Sequence, residues 1–180
     1  MKVAAIQLNS GSSVGSNLIT AKLLIKRAKD EGATVVVLPQ HFACIPKDTE
    51  DMVLVKEQLG AGRIQGFLSQ MALEHELWII GGSIPVACKN DERFTNTSLV
   101  FNPAGERVVQ YDKMHLFDAY LGDLEQHHES TLVVPGKKAV VFDTPVGKVG
   151  LAIGFDLRSH EHFKTLKAQG AEIMMMPMRF

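Results

Sequence analysis

The stretch GLAIGFDLRSHE, residues 150–161, decides how this chain is read. Its first half is a continuous apolar run of the kind buried in a sheet, its second half turns polar with helical spacing, and Gly154 sits at the join. A sharp strand-to-helix elbow presents one side chain to a cleft beside free backbone N–H donors, which is where many hydrolases seat a nucleophile. Here the seat carries glycine, which has no side chain to present.

Outward from the elbow, strand and helix patterns alternate through the first half of the chain. Residues 3–8 read as a strand, and residues 16–29 place Leu18, Ala21, Leu24, Ile25 and Ala28 on one helical face, with Ser16 as N-cap and Gly32 as the stop. Residues 34–39, TVVVLP, are apolar on both faces, as in a strand covered by layers on either side. A second helix is expected over residues 64–75 and a strand over 77–85. Hairpins follow: 98–102 with 107–111 across NPAGE, and 138–144 with 148–155 across PVG. A short helix over 161–169, stopped by Gly170, leads into a buried type of strand over 171–177. Residues 9–15, 41–56 and 118–137 read as loops, and the fold class is α/β.

The chain has 180 residues, enough for one domain with a real core, so a single domain over 1–180 is expected. Charged residues make up 22% and the net charge is -1, which describes an ordinary surface rather than one built for nucleic acid or membrane. The longest apolar runs, 34–39 and 77–86, fall far short of the roughly 20 residues that span a bilayer. The N-terminus enters a strand pattern without a basic leader, so a cytoplasmic address is expected. Cys44 and Cys88 lack CxxC spacing and suggest neither a disulfide framework nor zinc. The methionines at 174, 175, 176 and 178 read as core filler, and His41, His127 and His128 as solvated loop histidines. No metal or cofactor is expected.

Four neighbourhoods set a polar residue at the end of a buried strand, where sheet-based folds place active sites. They are Leu38-Pro39-Gln40, YDKMHLFD over 111–118, Glu129 ahead of Pro135-Gly136, and Gly154-Phe155-Asp156-Leu157-Arg158. With the opening strand 3–8, VVLP over 36–39 and NTSLVFNPAGE over 96–106, their order resembles the nitrilase superfamily of carbon-nitrogen hydrolases, in the branch of small amidases acting on omega-amides and deaminated glutathione. The resemblance covers residues 2–177.

The resemblance implies an α-β-β-α sandwich and a catalytic set of glutamate, lysine, a second glutamate and cysteine. In such a set the thiol attacks an amide carbonyl, the first glutamate moves the proton to the leaving amine, and the lysine ammonium stabilises the oxyanion. The second glutamate orients the lysine and water. Lys113 stands in the lysine position and Glu129 in that of the second glutamate. The first glutamate is replaced by Gln40 and the cysteine by Gly154. A carboxamide is no base at neutral pH and glycine has no atom with which to attack, a loss on the order of a million-fold in turnover for a concerted catalytic group. Cys44, four residues beyond Gln40, is a poor stand-in, because attack requires a sulfur within about 3.5 Å of the carbonyl and aligned with it. Asp156 and Arg158 match the family's flank of the nucleophile and are candidate binding residues, with holding the elbow by hydrogen bonds as their plainer role. His115 reads as structural.

The resemblance also implies that the family fold continues beyond residue 177, so the chain is expected to be a truncated nitrilase-like sandwich without roughly the last third. Three readings follow for its function. The first is an inactive pseudoenzyme or gene remnant of an amidase that hydrolysed a small omega-amide to acid and ammonia. The second is a binding or assembly subunit paired with a full-length relative, or a homo-oligomer. The third is a weak amidase using Lys113, Glu129 and water. A small-molecule amide or acid is the one ligand class implied, with no nucleic acid and no membrane.

Overall fold

The chain opens with parallel strands because its apolar runs are separated by a helical segment long enough to cross over a sheet. The structure, a computed structural model, describes residues 1–89, 91–120 and 126–179, with the backbone alone at 120, 126 and 127. Strand β1 (Val3–Ala5) leads through helix α1 (Val14–Asp30) to β2 (Val35–Val37), and helix α2 (Arg63–His75) leads on to β3 (Trp78–Ile80) and β4 (Ile84–Ala87). Long strand β5 (Phe94–Phe101) and β6 (Arg107–Asp112) then form a hairpin. β7 (Asp118–Tyr120) and β8 (Gln126–His128) pair with each other. β9 (Val141–Thr144), β10 (Gly147–Leu151), helix α3 (His160–Ala168) and β11 (Ile173–Met175) complete the described chain.

Strands β1, β2 and β3 pair in parallel, while β5 runs antiparallel to β3, β4 and β6. A second sheet has the order β11-β10-β9. The two-residue period of the strands sorts their side chains onto two cores. Val36, Ile79, Leu99 and Phe101 pack with Leu18, Ile25, Leu68 and Met71 of the helices. Val35, Ile80, Val100 and Tyr111 face the other way, onto Val149, Leu151, Ile153 and Met175 of the second sheet. Gly150 turns its empty face to α3, where a Cβ would meet Leu166 at 3.2 Å. The result is a layered α-β-β-α arrangement.

Several boundaries differ from the sequence reading. The N-cap of α1 is Ser13, whose hydroxyl accepts from the Ser16 N–H at 3.3 Å, so the helix starts earlier than the reading from Ser16. The single strand expected over 77–85 is two, β3 and β4, laid along the same edge of β5 with a one-residue slip in register. Gly82 makes that break: its φ is +58, and a Cβ there would collide with the carbonyl oxygen of Pro39. β10 ends at Leu151 rather than continuing to 155, because the backbone turns into a 3-10 helix at Gly154–Arg158. Of the four methionines, Met175 is core, Met174 is 39% exposed, and Met178 lines a cleft. The loop expected over 41–56 holds the 3-10 helix Thr49–Val55, and that over 118–137 holds the β7–β8 hairpin and a 3-10 turn at Glu129–Thr131.

One fully buried carboxylate joins the layers. Asp156, 0% exposed, accepts from the Tyr111 hydroxyl of β6 at 2.6 Å, from the Ile153 N–H at 2.8 Å and from the His115 N–H at 2.8 Å, and lies 2.9 Å from the His115 Nδ1. The burial and the shared negative charge push the Tyr111 hydroxyl far above its ordinary pKa, so it stays a donor. Asp156→Ala leaves several buried donors unpaired and is expected to cost about 3 kcal/mol or more of stability, read from urea unfolding curves. A loss below about 1 kcal/mol would show that the strut is dispensable.

Candidate active site

Lys113 follows β6 directly and its backbone N–H donates to the Asn96 carbonyl of β5 at 2.8 Å, which fixes its side chain at the sheet's end. The side chain is 2% exposed, and its Nζ lies 2.8 and 2.6 Å from the two carboxylate oxygens of Glu129. Glu129 is held in turn: its Oε2 accepts from the Phe117 N–H at 2.7 Å, and its own N–H donates to the Phe117 carbonyl at 3.2 Å. A buried ammonium is stable here because the carboxylate meets it in a fixed geometry. Two of its three N–H donors are engaged, so one remains for a ligand.

Gln40 and Gly154 meet across the cleft from different strands. Gln40 follows β2 and Pro39, and its N–H donates to the Met178 carbonyl at 3.3 Å. Gly154 follows β10, and its N–H donates to the Pro177 carbonyl at 3.0 Å, so the segment after β11 ties both backbones together. Gly154 has φ +50, and a Cβ built on it would lie 2.5 Å from Oε1 of Gln40. The carboxamide therefore stands where a side chain at 154 would begin. Left-handed backbone favours glycine, which removes both the strain and the collision. Among the described residues the Gln40 carboxamide has no hydrogen-bond partner.

These four residues line a cavity of about 990 Å³, together with His41, Arg158 and Arg179. Asp156 is not part of its wall; it lies behind the elbow and touches the cleft only through the backbone it holds. Arg158 does line the cavity and is exposed. Cys44 and Cys88 stand outside it; burial pushes both thiols up in pKa, and Cys44 Sγ donates to the Ser12 carbonyl at 3.4 Å. Neither thiol is placed to attack a molecule bound beside Lys113.

His41 is a cleft residue, not the solvated loop histidine expected from the sequence. Its φ is +54, its N–H donates to the Ser83 hydroxyl at 3.2 Å, and its Nε2 lies 3.3 Å from the Asn96 amide nitrogen. No motif marks it; it is brought in by the turn that positions Gln40. His128 also lines the cavity, whereas the side chain of His127 lies outside the described residues.

Burial holds the His41 imidazole down to about 3, with the charges of Arg179 and Lys113 acting in the same direction. The folded chain thus keeps His41 neutral where the unfolded chain, near its ordinary 6.5, takes up a proton. The stability that this contributes is complete above pH 6.5 and is lost as pH falls towards about 3. The urea midpoint is expected to drop between pH 7 and pH 5, and to drop less in His41→Asn, which tolerates the positive φ. Equal slopes in the two proteins would remove His41 from the acid response.

The carbon-nitrogen hydrolase family matches residues 2–179. The chain is 34% identical over 180 residues to a deaminated glutathione amidase of Yersinia enterocolitica, covering 99% of this chain and 62% of that protein. It is 35% identical over 179 residues to omega-amidase NIT2 of Bos taurus, covering 99% of this chain and 63% of that protein. The crystal structure of Saccharomyces cerevisiae Nit3, a member of branch 10 of the nitrilase superfamily, superposes with a TM-score of 0.85 at 32% identity, over 99% of this chain and 64% of that one. The chain spans less than two thirds of the length of each of these relatives. A match over nearly every residue, on a fold shared with Nit3, makes this chain a member of the carbon-nitrogen hydrolase family within the nitrilase superfamily.

Proposed function

We propose that this chain is a non-hydrolytic member of its family: an amidase scaffold that keeps the lysine–glutamate floor of the cleft and has lost the covalent step. The observation that carries the reading is the pair Gln40–Gly154, a neutral carboxamide facing a residue with no side chain where the amidase mechanism needs a base and a thiol. The relatives' names, deaminated glutathione amidase and omega-amidase, support hydrolysis of a small amide to acid and ammonia as the ancestral reaction.

Attack by water in place of the thiol is disfavoured by the state of the remaining carboxylate. Both oxygens of Glu129 face Lys113, and one also accepts from the Phe117 N–H. Taking a proton from water would weaken the bonds that keep Lys113 charged in a buried place. The site retains the means to hold a polar ligand, and lacks a group poised to activate a nucleophile.

With deaminated glutathione or succinamate as substrate, the chain is expected to release no ammonia above the buffer control. Release that disappears in Lys113→Ala would overturn the reading. Gly154→Cys is expected to displace the Gln40 side chain, to cost about 1–2 kcal/mol of stability through the left-handed backbone, and to gain an iodoacetamide label at residue 154 by mass spectrometry. A thiol there that resists alkylation would mean that the cleft does not admit a ligand to the elbow.

A further inference from the structure

The replacements at 40 and 154 remove a reaction, and they also change what the cleft prefers to hold. A ligand amide needs acceptors for its NH2 group as well as donors for its carbonyl. Both Glu129 oxygens are engaged by Lys113 and Phe117, which leaves Oε1 of Gln40 as the open side-chain acceptor beside them. Donors outnumber that one acceptor: the Gln40 amide nitrogen has no partner among the described residues, Lys113 has one N–H left, and Arg179 opens onto the same cavity without a carboxylate partner among the described residues.

The charges point the same way. Lys113 and Glu129 cancel, and at the exposed rim Lys47 shares one turn with Asp48 and Glu50. Arg158 and Arg179 add two positive charges with no ion-pair partner among the described residues, so the described lining residues together carry one positive charge in excess.

We infer that the cleft is a receptor site for a small carboxylate anion, held by the Gln40 carboxamide N–H, the remaining N–H of Lys113 and the Arg179 guanidinium, in preference to the isosteric amide. The inference rests on the non-hydrolytic reading and extends it, because it names what the silent cleft binds. Glutamine at 40 is then a functional residue: a glutamate there would set a second negative charge against the ligand and replace a donor by an acceptor. A cavity of about 990 Å³ has room for such an acid with several carbons.

Butyrate and butyramide differ in charge and hardly in shape, so calorimetric titration of the 180-residue chain with each tests the preference. Butyrate is expected to bind about ten-fold or more tightly than butyramide, and both Gln40→Glu and Arg179→Ala are expected to weaken butyrate by about ten-fold or more. Arg179 is exposed, so its variant stays informative if Gln40→Glu unfolds, which a circular dichroism melt reports. Equal or tighter binding of butyramide, no binding of butyrate, or butyrate binding indifferent to Arg179→Ala overturns the carboxylate site. Ammonia measured in the butyramide titration separates the two claims: its appearance sinks the non-hydrolytic reading together with the inference, whereas failed butyrate binding without ammonia sinks the inference alone.

Discussion

The buried carboxylate of Asp156 is the junction through which the two sheets and the elbow share one geometry. A charge with no solvent exposure is tolerated only when its lone pairs are filled, and here the donors come from Tyr111 on one sheet, Ile153 at the end of the other, and His115 in the segment that follows Lys113. Because each donor belongs to a different part of the chain, satisfying this one group sets the distance between Lys113 and Gly154. The bare elbow keeps its shape for this reason: its conformation is held from behind by Asp156 and from the side by the Pro177 carbonyl, and needs no side chain at residue 154.

The two pairs of cleft residues, Lys113–Glu129 and Gln40–Gly154, are held by different constraints. Lys113 and Glu129 are mutually dependent, since removing either leaves a buried or half-buried charge uncompensated, so the pair persists on structural grounds alone. The positions at 40 and 154 carry no such obligation. Neither residue neutralises a buried partner, and the carboxamide fits into the space that a side chain at 154 would occupy. A larger side chain at 154 would require Gln40 to move, so the two positions constrain each other.

Much of the architecture was legible in advance because the signals are local. The double-faced run VVV of β2, the NPAGE turn between β5 and β6, and the helical spacing of Leu18, Ala21 and Ile25 each depend on neighbours within a few residues. The misses share a different cause. Splitting the expected strand 77–85 at Gly82 reflects the approach of the Pro39 carbonyl, a contact over more than forty residues of sequence that periodicity cannot register. The early end of β10 reflects capture of the Ile153 N–H by Asp156 in place of a ladder partner. His41 gave no signal at all, since a histidine in a polar loop and one turned into a cleft look alike until the turn at Pro39 is placed.

The sequence by itself determined the fold class, the family, the presence of Lys113 and Glu129, and the absence of a base and a thiol at 40 and 154, because residue identity and motif order are properties of the string. Only the tertiary structure decided that Gln40 and Gly154 share one space, that Asp156 stands behind the wall of the cleft while Arg158 and Arg179 line it, and that His41 is kept neutral there. Those outcomes turn on distances between segments far apart in the chain, and such distances follow from how two sheets pack, not from any local pattern.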